Sequence, residues 1–141
     1  MNDTVATGNY ARTAPGSAVN YLPFVGRLMI AAIFLLSAFG KIAAPGATIG
    51  YIGFSGLPFP SLAYAGAIII EAGGGLALLA GYKTRPAALV LAGFALLTAF
   101  AFHYALGDQN QFIHFFKNVA IAGGLLQIAA FGPGAVSVDR D

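Results

Sequence analysis

Four long hydrophobic stretches restrict this chain to one class of fold. They lie at about residues 21–41, 61–81, 86–106 and 112–132, and each is close to the roughly 20 residues that a helix needs to cross a bilayer. Only 9% of the 141 residues are charged, whereas a soluble domain carries about 25%. The sequence therefore predicts an all-α integral membrane protein built as a four-helix bundle.

The segments outside these stretches define the rest of the organisation. Residues 1–20 are mostly small and polar and are expected to form a flexible tail before a single membrane domain over 21–141. Residues 43–60 are rich in Gly and Pro with interleaved aromatics, which predicts a loop lying at the membrane interface. The turns near 81–86 and 107–111 are short, so the last three spans should be antiparallel neighbours.

The basic residues predict an orientation in the membrane. Both termini lie on the side that carries Arg12, Lys83, Arg85 and Arg140, whereas Lys41 and Lys117 lie near the other side. Cytoplasmic loops are enriched in Lys and Arg. Both termini are therefore expected in the cytoplasm, in a multi-pass protein of the bacterial inner membrane.

Glu71 is the polar residue that most directly indicates function. It is the only glutamate in the chain and has no charged neighbour within ten positions. A carboxyl at membrane depth is costly and persists when it is paired or used. It is expected either to act in catalysis or proton relay, or to form a structural ion pair or neutral hydrogen-bonded acid. Arg27 is the expected partner, unless its long side chain extends to the interface instead.

A second polar group is expected at the end of the bundle opposite the termini. His103 ends the third span, and His114, Lys117 and Asn118 begin the fourth. Together they could hold the carbonyl oxygens of a quinone or an anionic substrate, or they could be ordinary interfacial residues. Gly74 and Gly75 share a helix face with Glu71 and would admit either a flat ligand or a neighbouring helix. Two histidines without a carboxylate or Cys at ligand spacing are a weak metal signal, and no metal site is predicted.

Cysteine is absent from the chain. This excludes a thiol–disulfide mechanism, thiolate-held iron–sulfur clusters and structural disulfides within the chain. Any redox role therefore requires a bound cofactor or a partner protein.

Taken in order, these features resemble the DoxX family. The first span resembles the family's first-helix signature, in which an Arg precedes a Gly-x-x-Lys-like ending. The matching segments cover about residues 21–139 and are Arg27 to Gly40-Lys41, Gly56-Leu-Pro58-Phe-Pro60, Glu71 with its glycines, Gly81-Tyr-Lys-Thr-Arg85, Phe102-His103, Phe116-Lys117-Asn118 and Gly123-Gly124.

The resemblance implies a four-helix membrane protein related to the small DoxD subunit of thiosulfate:quinone oxidoreductase. On this basis Glu71 would be a proton relay with Arg27 as its charge partner. Quinone would be a non-covalent cofactor held by His103, Lys117 and Asn118, with Gly74 and Gly75 beside it. A partner oxidoreductase subunit or a second copy of the chain is expected within the lipid bilayer, and no nucleic acid. The alternatives are a non-catalytic membrane anchor or assembly subunit and a small transporter.

Overall fold

The computed structural model describes residues 18–139, and this part of the chain is helical. A short 3₁₀ turn, Ala18–Asn20, precedes the first helix, and a π-helical turn, Ile69–Gly73, joins α3 to α4. The α-helices are α1 (Leu22–Ala43), α2 (Pro45–Phe54), α3 (Pro60–Ile68), α4 (Gly74–Ala80), α5 (Thr84–Phe102) and α6 (Gln109–Phe131). The expected tail falls largely outside the described residues.

Four helical segments within the described residues are long and apolar enough to cross a membrane, which confirms the predicted fold class. They are Ala18–Ala43, Pro60–Ala80, Thr84–Phe102 and Gln109–Phe131. Large apolar side chains on their outer surface are exposed, including Leu36, Phe39 and Phe131. Such a surface is suited to lipid, because acyl chains solvate it and water does not.

The loop predicted over 43–60 is wrong for most of its length, because Pro45–Phe54 forms helix α2. Pro45 lies in the first turn, where its fixed φ is compatible with a helix and its missing N–H costs nothing. Packing offsets the low helix propensity of the glycines: Ile52 is buried, and the ring of Tyr51 stacks on Phe102 of α5 at 5.5 Å. Helix α2 therefore attaches to the end of α5.

Alanines, leucines and one phenylalanine form the core of the bundle, and the alanines let the helices pack closely. The core comprises Ala31, Phe34, Leu78, Ala88, Leu91, Ala92, Ala95, Ala122 and Leu125. At Gly74 a Cβ atom would lie 2.8 Å from Leu91 Cδ2, and at Gly75 it would lie 2.9 Å from Leu35 Cδ2. These two glycines therefore allow the segment around Glu71 to approach both α5 and α1.

The segment after α6 packs across the turn between α4 and α5. The N–H groups of Val138 and Asp139 donate to the carbonyls of Ala80 and Gly81 at 3.1 and 2.8 Å. The carboxylate of Asp139 accepts from the backbone N–H and the hydroxyl of Thr84, each at 2.8 Å. Hydrogen bonding, above all from the Thr84 N–H, holds the pKa of Asp139 below its usual value. Asp139 thus caps the start of α5.

Candidate functional site

The π-helical turn carries Glu71 into the interior of the bundle. A π turn places one more residue in a turn than an α-helix does and is frequent at functional sites. Glu71 is the buried residue of this turn, with only 4% of its surface exposed. Its carboxylate reaches α1 and meets the side chains of Ser37 and Lys41, which share a face because they are four residues apart.

Glu71, Lys41 and Ser37 form a connected polar network. Lys41 Nζ lies 3.0 Å from Glu71 Oε1 and 2.9 Å from Oε2. The Ser37 hydroxyl donates to Oε1 at 2.9 Å, and Lys41 donates to that hydroxyl at 2.7 Å. The charge of Glu71 is thus balanced by Lys41. The ammonium of Lys41 therefore lies close to both carboxylate oxygens, and Oε2 is fully buried.

A cavity of about 960 Å³ lies beside this network, between α1, α2, α3, α5 and α6. Most of its lining is apolar, as is typical of pockets for small organic ligands. Its polar or ionisable lining residues are Ser37, Lys41, Thr48, Tyr51, Glu71, Thr98, His103, Lys117 and Asn118. Leu36 and Leu97 also line it although each is well over half exposed, so the cavity opens sideways between the helices.

The structure brings His103, Lys117 and Asn118 to the same cavity as Glu71. Asn118 Nδ2 donates to the Thr98 hydroxyl at 3.3 Å. His103 Nδ1 lies 2.9 Å from Gln111 Oε1, and its ring stacks on His114 at 5.1 Å. Within the described part of the chain Lys117 makes no hydrogen bond or ion pair, so its ammonium is available to a ligand. The convergence of these residues, expected from the antiparallel spans, is therefore found.

Arg27 does not pair with Glu71, and this sequence-based expectation is wrong. The guanidinium is buried, with 1% of the residue exposed, and donates to backbone carbonyls. Two of these carbonyls belong to Leu78 and Leu79 at the end of α4, at 2.7 and 3.1 Å. The other two belong to the segment after α6: Pro133, at 3.0 Å, and Val136. Because the last carbonyls of a helix lack partners, Arg27 completes the end of α4 and attaches the C-terminal segment to it.

The residues that form the site differ in part from those that the sequence predicts. Gly74 and Gly75 do not line the cavity, and their close contacts with leucines fit the packing alternative. Ser37 and Lys41 belong to the Glu71 site although the sequence-based site does not include them. Their four-residue spacing and the depth of Ser37 in the first span are the signal of a shared polar face. Tyr51, expected in a loop, instead lines the cavity from α2.

Comparisons with known proteins agree with this architecture. The family model described as DoxX matches residues 22–104. The inner membrane protein YqjF of Escherichia coli K12 is 42% identical over 116 residues, which cover 82% of this chain and 88% of that protein. The inner membrane protein YphA of the same organism is 35% identical over 130 residues, covering 89% and 93%. No solved structure matches the chain.

Proposed function

The chain belongs to the DoxX family and is an inner membrane protein like its relatives, and we propose that it is a quinone-binding subunit that supports a partner oxidoreductase. The observation that carries the proposal is the cavity beside Glu71. It combines apolar walls with two sets of polar groups: the Glu71–Lys41 pair, and the residues His103, Lys117 and Asn118.

The chemistry of the cavity fits a quinone ring. Such a ring is flat and apolar, with oxygen atoms at opposite ends, and most of its contact surface needs only hydrophobic walls. The ammonium of Lys117 and the amide of Asn118 are donors that suit a carbonyl oxygen. The sideways opening at Leu36 and Leu97 lies within two membrane-spanning helices, where a lipid-soluble molecule would enter from the bilayer.

The network around Glu71 supports a role in handling protons. Reduction of a quinone to a quinol takes up two electrons and two protons. In this proposal the electrons come from the partner oxidoreductase. Lys41 donates to Ser37 and Ser37 donates to Glu71, so hydrogen bonds run continuously from the partly exposed Lys41 to the buried carboxylate. A carboxylate linked in this way can accept a proton beside a bound ring.

The test is to purify the protein in mild detergent and to identify the quinones and proteins that accompany it. Wild type is expected to retain quinone in a stoichiometric amount, and Lys117→Met to retain about tenfold less, because it loses a donor that no described residue engages. Lys83→Met is the control, since Lys83 lies at the opposite end of the bundle. Absence of quinone from wild type, even after quinone is added, would contradict the proposal. A redox enzyme that then co-purified would identify the chain as a membrane anchor.

A further inference from the structure

The charges that line the cavity do not balance. Its charged lining residues are Lys41, Lys117 and Glu71. Lys41 Nζ lies 3.0 Å from Glu71 Oε1 and 2.9 Å from Oε2, so these two charges compensate each other. Lys117 makes no hydrogen bond or ion pair with the described residues. The cavity therefore carries one positive charge for which its lining supplies no countercharge.

The other acidic residues in the described part of the chain lie away from Lys117. Asp139 caps the start of α5, at the opposite end of the bundle. Asp108 precedes α6 and accepts a hydrogen bond from the Gln111 N–H, and about 13 Å of helix separates it from Lys117. His103 also lines the cavity, but an imidazole is neutral or cationic. A ligand can therefore supply the negative charge that these residues do not.

Asn118 provides a second donor next to Lys117 in the sequence of α6. The Thr98 hydroxyl donates to the carbonyl of Ala95 at 2.9 Å, so it accepts from Asn118 Nδ2 at 3.3 Å. This arrangement uses one of the two hydrogens of the amide NH₂ group. The other hydrogen has no partner among the described residues. Lys117 and Asn118 thus both have donors available for an oxygen of a ligand.

The position of Lys117 suits the charged end of an otherwise apolar ligand. Lys117 is exposed and lies about 12 Å along α6 from its first residue, Gln109. The next cavity-lining residue of α6 is the apolar Ile121, one turn deeper. A ring can therefore contact the apolar walls while a charged oxygen remains nearer the end of the bundle. An ammonium without a countercharge is costly within a bilayer, and an anionic oxygen lowers that cost.

We propose that this cavity binds aromatic ligands with one ionised ring oxygen more tightly than matched neutral ligands, and that Lys117 and Asn118 hold that oxygen. This inference rests on the proposed function, because it specifies the class of quinone: one with an acidic ring hydroxyl. We expect a preference of about tenfold, which corresponds to about 1.4 kcal/mol. It exceeds the contribution of a fully exposed ion pair, because the bilayer and the apolar lining limit screening by water.

The experiment compares two ligands that share a ring and differ in charge. They are a 3-alkyl-2-hydroxy-1,4-naphthoquinone, whose hydroxyl is ionised at neutral pH, and its neutral 2-methoxy ether. Binding to the purified protein is measured in nanodiscs of phosphatidylcholine, which has no net charge, and protein-free nanodiscs correct for partitioning. Wild type is expected to bind the ionised compound about tenfold more tightly. Equal binding, or tighter binding of the ether, would overturn the inference and leave the proposed function standing. Binding of neither compound would overturn both.

Variants of Lys117 test which residue provides the charge. Lys117→Met should remove the preference, because it weakens binding of the ionised compound more than binding of the ether. Lys117→Arg keeps the positive charge and should keep the preference. Lys83→Met is the control, since it removes the same charge at the opposite end of the bundle. A preference that persists in Lys117→Met would overturn the assignment and would indicate that the ammonium serves only the lipid head groups.

A second pair of probes removes the difference in size between a hydroxyl and a methoxy group. 2-Naphthoate and 2-naphthamide have nearly the same shape, but only the carboxylate is charged at neutral pH. In wild type, naphthoate should displace the bound naphthoquinone about tenfold more effectively than naphthamide, and in Lys117→Met the two should be alike. Equal displacement by the two probes in wild type would contradict the preference for an anion.

Discussion

At the scale of single residues, the bundle stabilises two buried charges by different means. Arg27 donates to the carbonyls of Leu78, Leu79, Pro133 and Val136, which lie at the end of one helix and in the C-terminal segment. Glu71 instead faces an ammonium and a hydroxyl from α1. The residues of the first arrangement do not line the cavity, whereas Glu71, Lys41 and Ser37 do. The proposed function therefore involves Glu71, whereas Arg27 holds structural elements together.

Double-mutant cycles should separate these two environments. Lys41→Met leaves the Glu71 carboxylate buried without its countercharge, so adding Glu71→Gln should recover part of the lost thermal stability. We expect a coupling energy of about 0.5–3 kcal/mol, the range for residues in direct contact. The measurement is thermal or denaturant unfolding in detergent.

Arg27 provides the contrasting cycle. About 15 Å of helix separates Arg27 from Ser37, and Ser37 is already in contact with Glu71. Arg27→Ala should be strongly destabilising, because it leaves buried carbonyls without donors, yet Glu71→Gln should add to it within about 0.5 kcal/mol. Rescue of Arg27→Ala by Glu71→Gln would mean that the two residues are coupled after all.

The sequence indicated which polar residues are buried or meet at one cavity more reliably than it indicated their partners. Glu71 was identifiable because a lone carboxyl in an apolar span is costly to bury unless another group pairs with it. The convergence of His103, Lys117 and Asn118 followed from antiparallel connectivity. The partner of Glu71 did not follow, because counting depth along each helix does not give the rotation of one helix against another. The partners of Arg27 could not be predicted either, because they are backbone carbonyls, which every residue has.

At the scale of elements, the glycines next to the π turn determine how closely the helices approach. Gly74 faces Leu91 of α5 and Gly75 faces Leu35 of α1, whereas a methyl group at Gly73 would meet no atom of a neighbouring helix within 4 Å. Gly74 and Gly75 thus hold the Glu71 segment between two neighbours. The sequence left open whether they packed against helices or against a ligand, because both uses require a small residue.

Alanine substitutions should distinguish the glycines. Gly74→Ala and Gly75→Ala should each lower the free energy of unfolding by about 1–3 kcal/mol, the usual cost of overpacking a core. Gly73→Ala is the matched control and should be neutral or slightly stabilising, because alanine favours helix. Thermal unfolding of the purified variants gives the comparison. Equal effects at all three positions would argue that helix propensity matters here and close packing does not.

At the scale of the whole molecule, the polar groups divide between the two ends of the bundle. One end carries Lys83, Arg85 and Asp139, and it is closed by the C-terminal segment. The other end carries the cavity, with α2 attached to α5 through the stacking of Tyr51 on Phe102. The cavity is therefore nearer one face of the membrane than the other. The positive-inside rule assigns the Lys83 end to the cytoplasm, so the cavity should lie in the outer half of the bilayer.

This topology can be tested without removing native thiols, because the chain contains no Cys. Tyr82→Cys and Asn110→Cys place single thiols at exposed positions on opposite ends of the bundle and leave every basic residue in place. In intact spheroplasts a membrane-impermeant maleimide should label the thiol introduced at position 110 and should label the one at position 82 only after the membrane is broken. The opposite pattern would place the cavity in the inner half of the bilayer, and a partner would then have to exchange quinone with the chain from the cytoplasmic side.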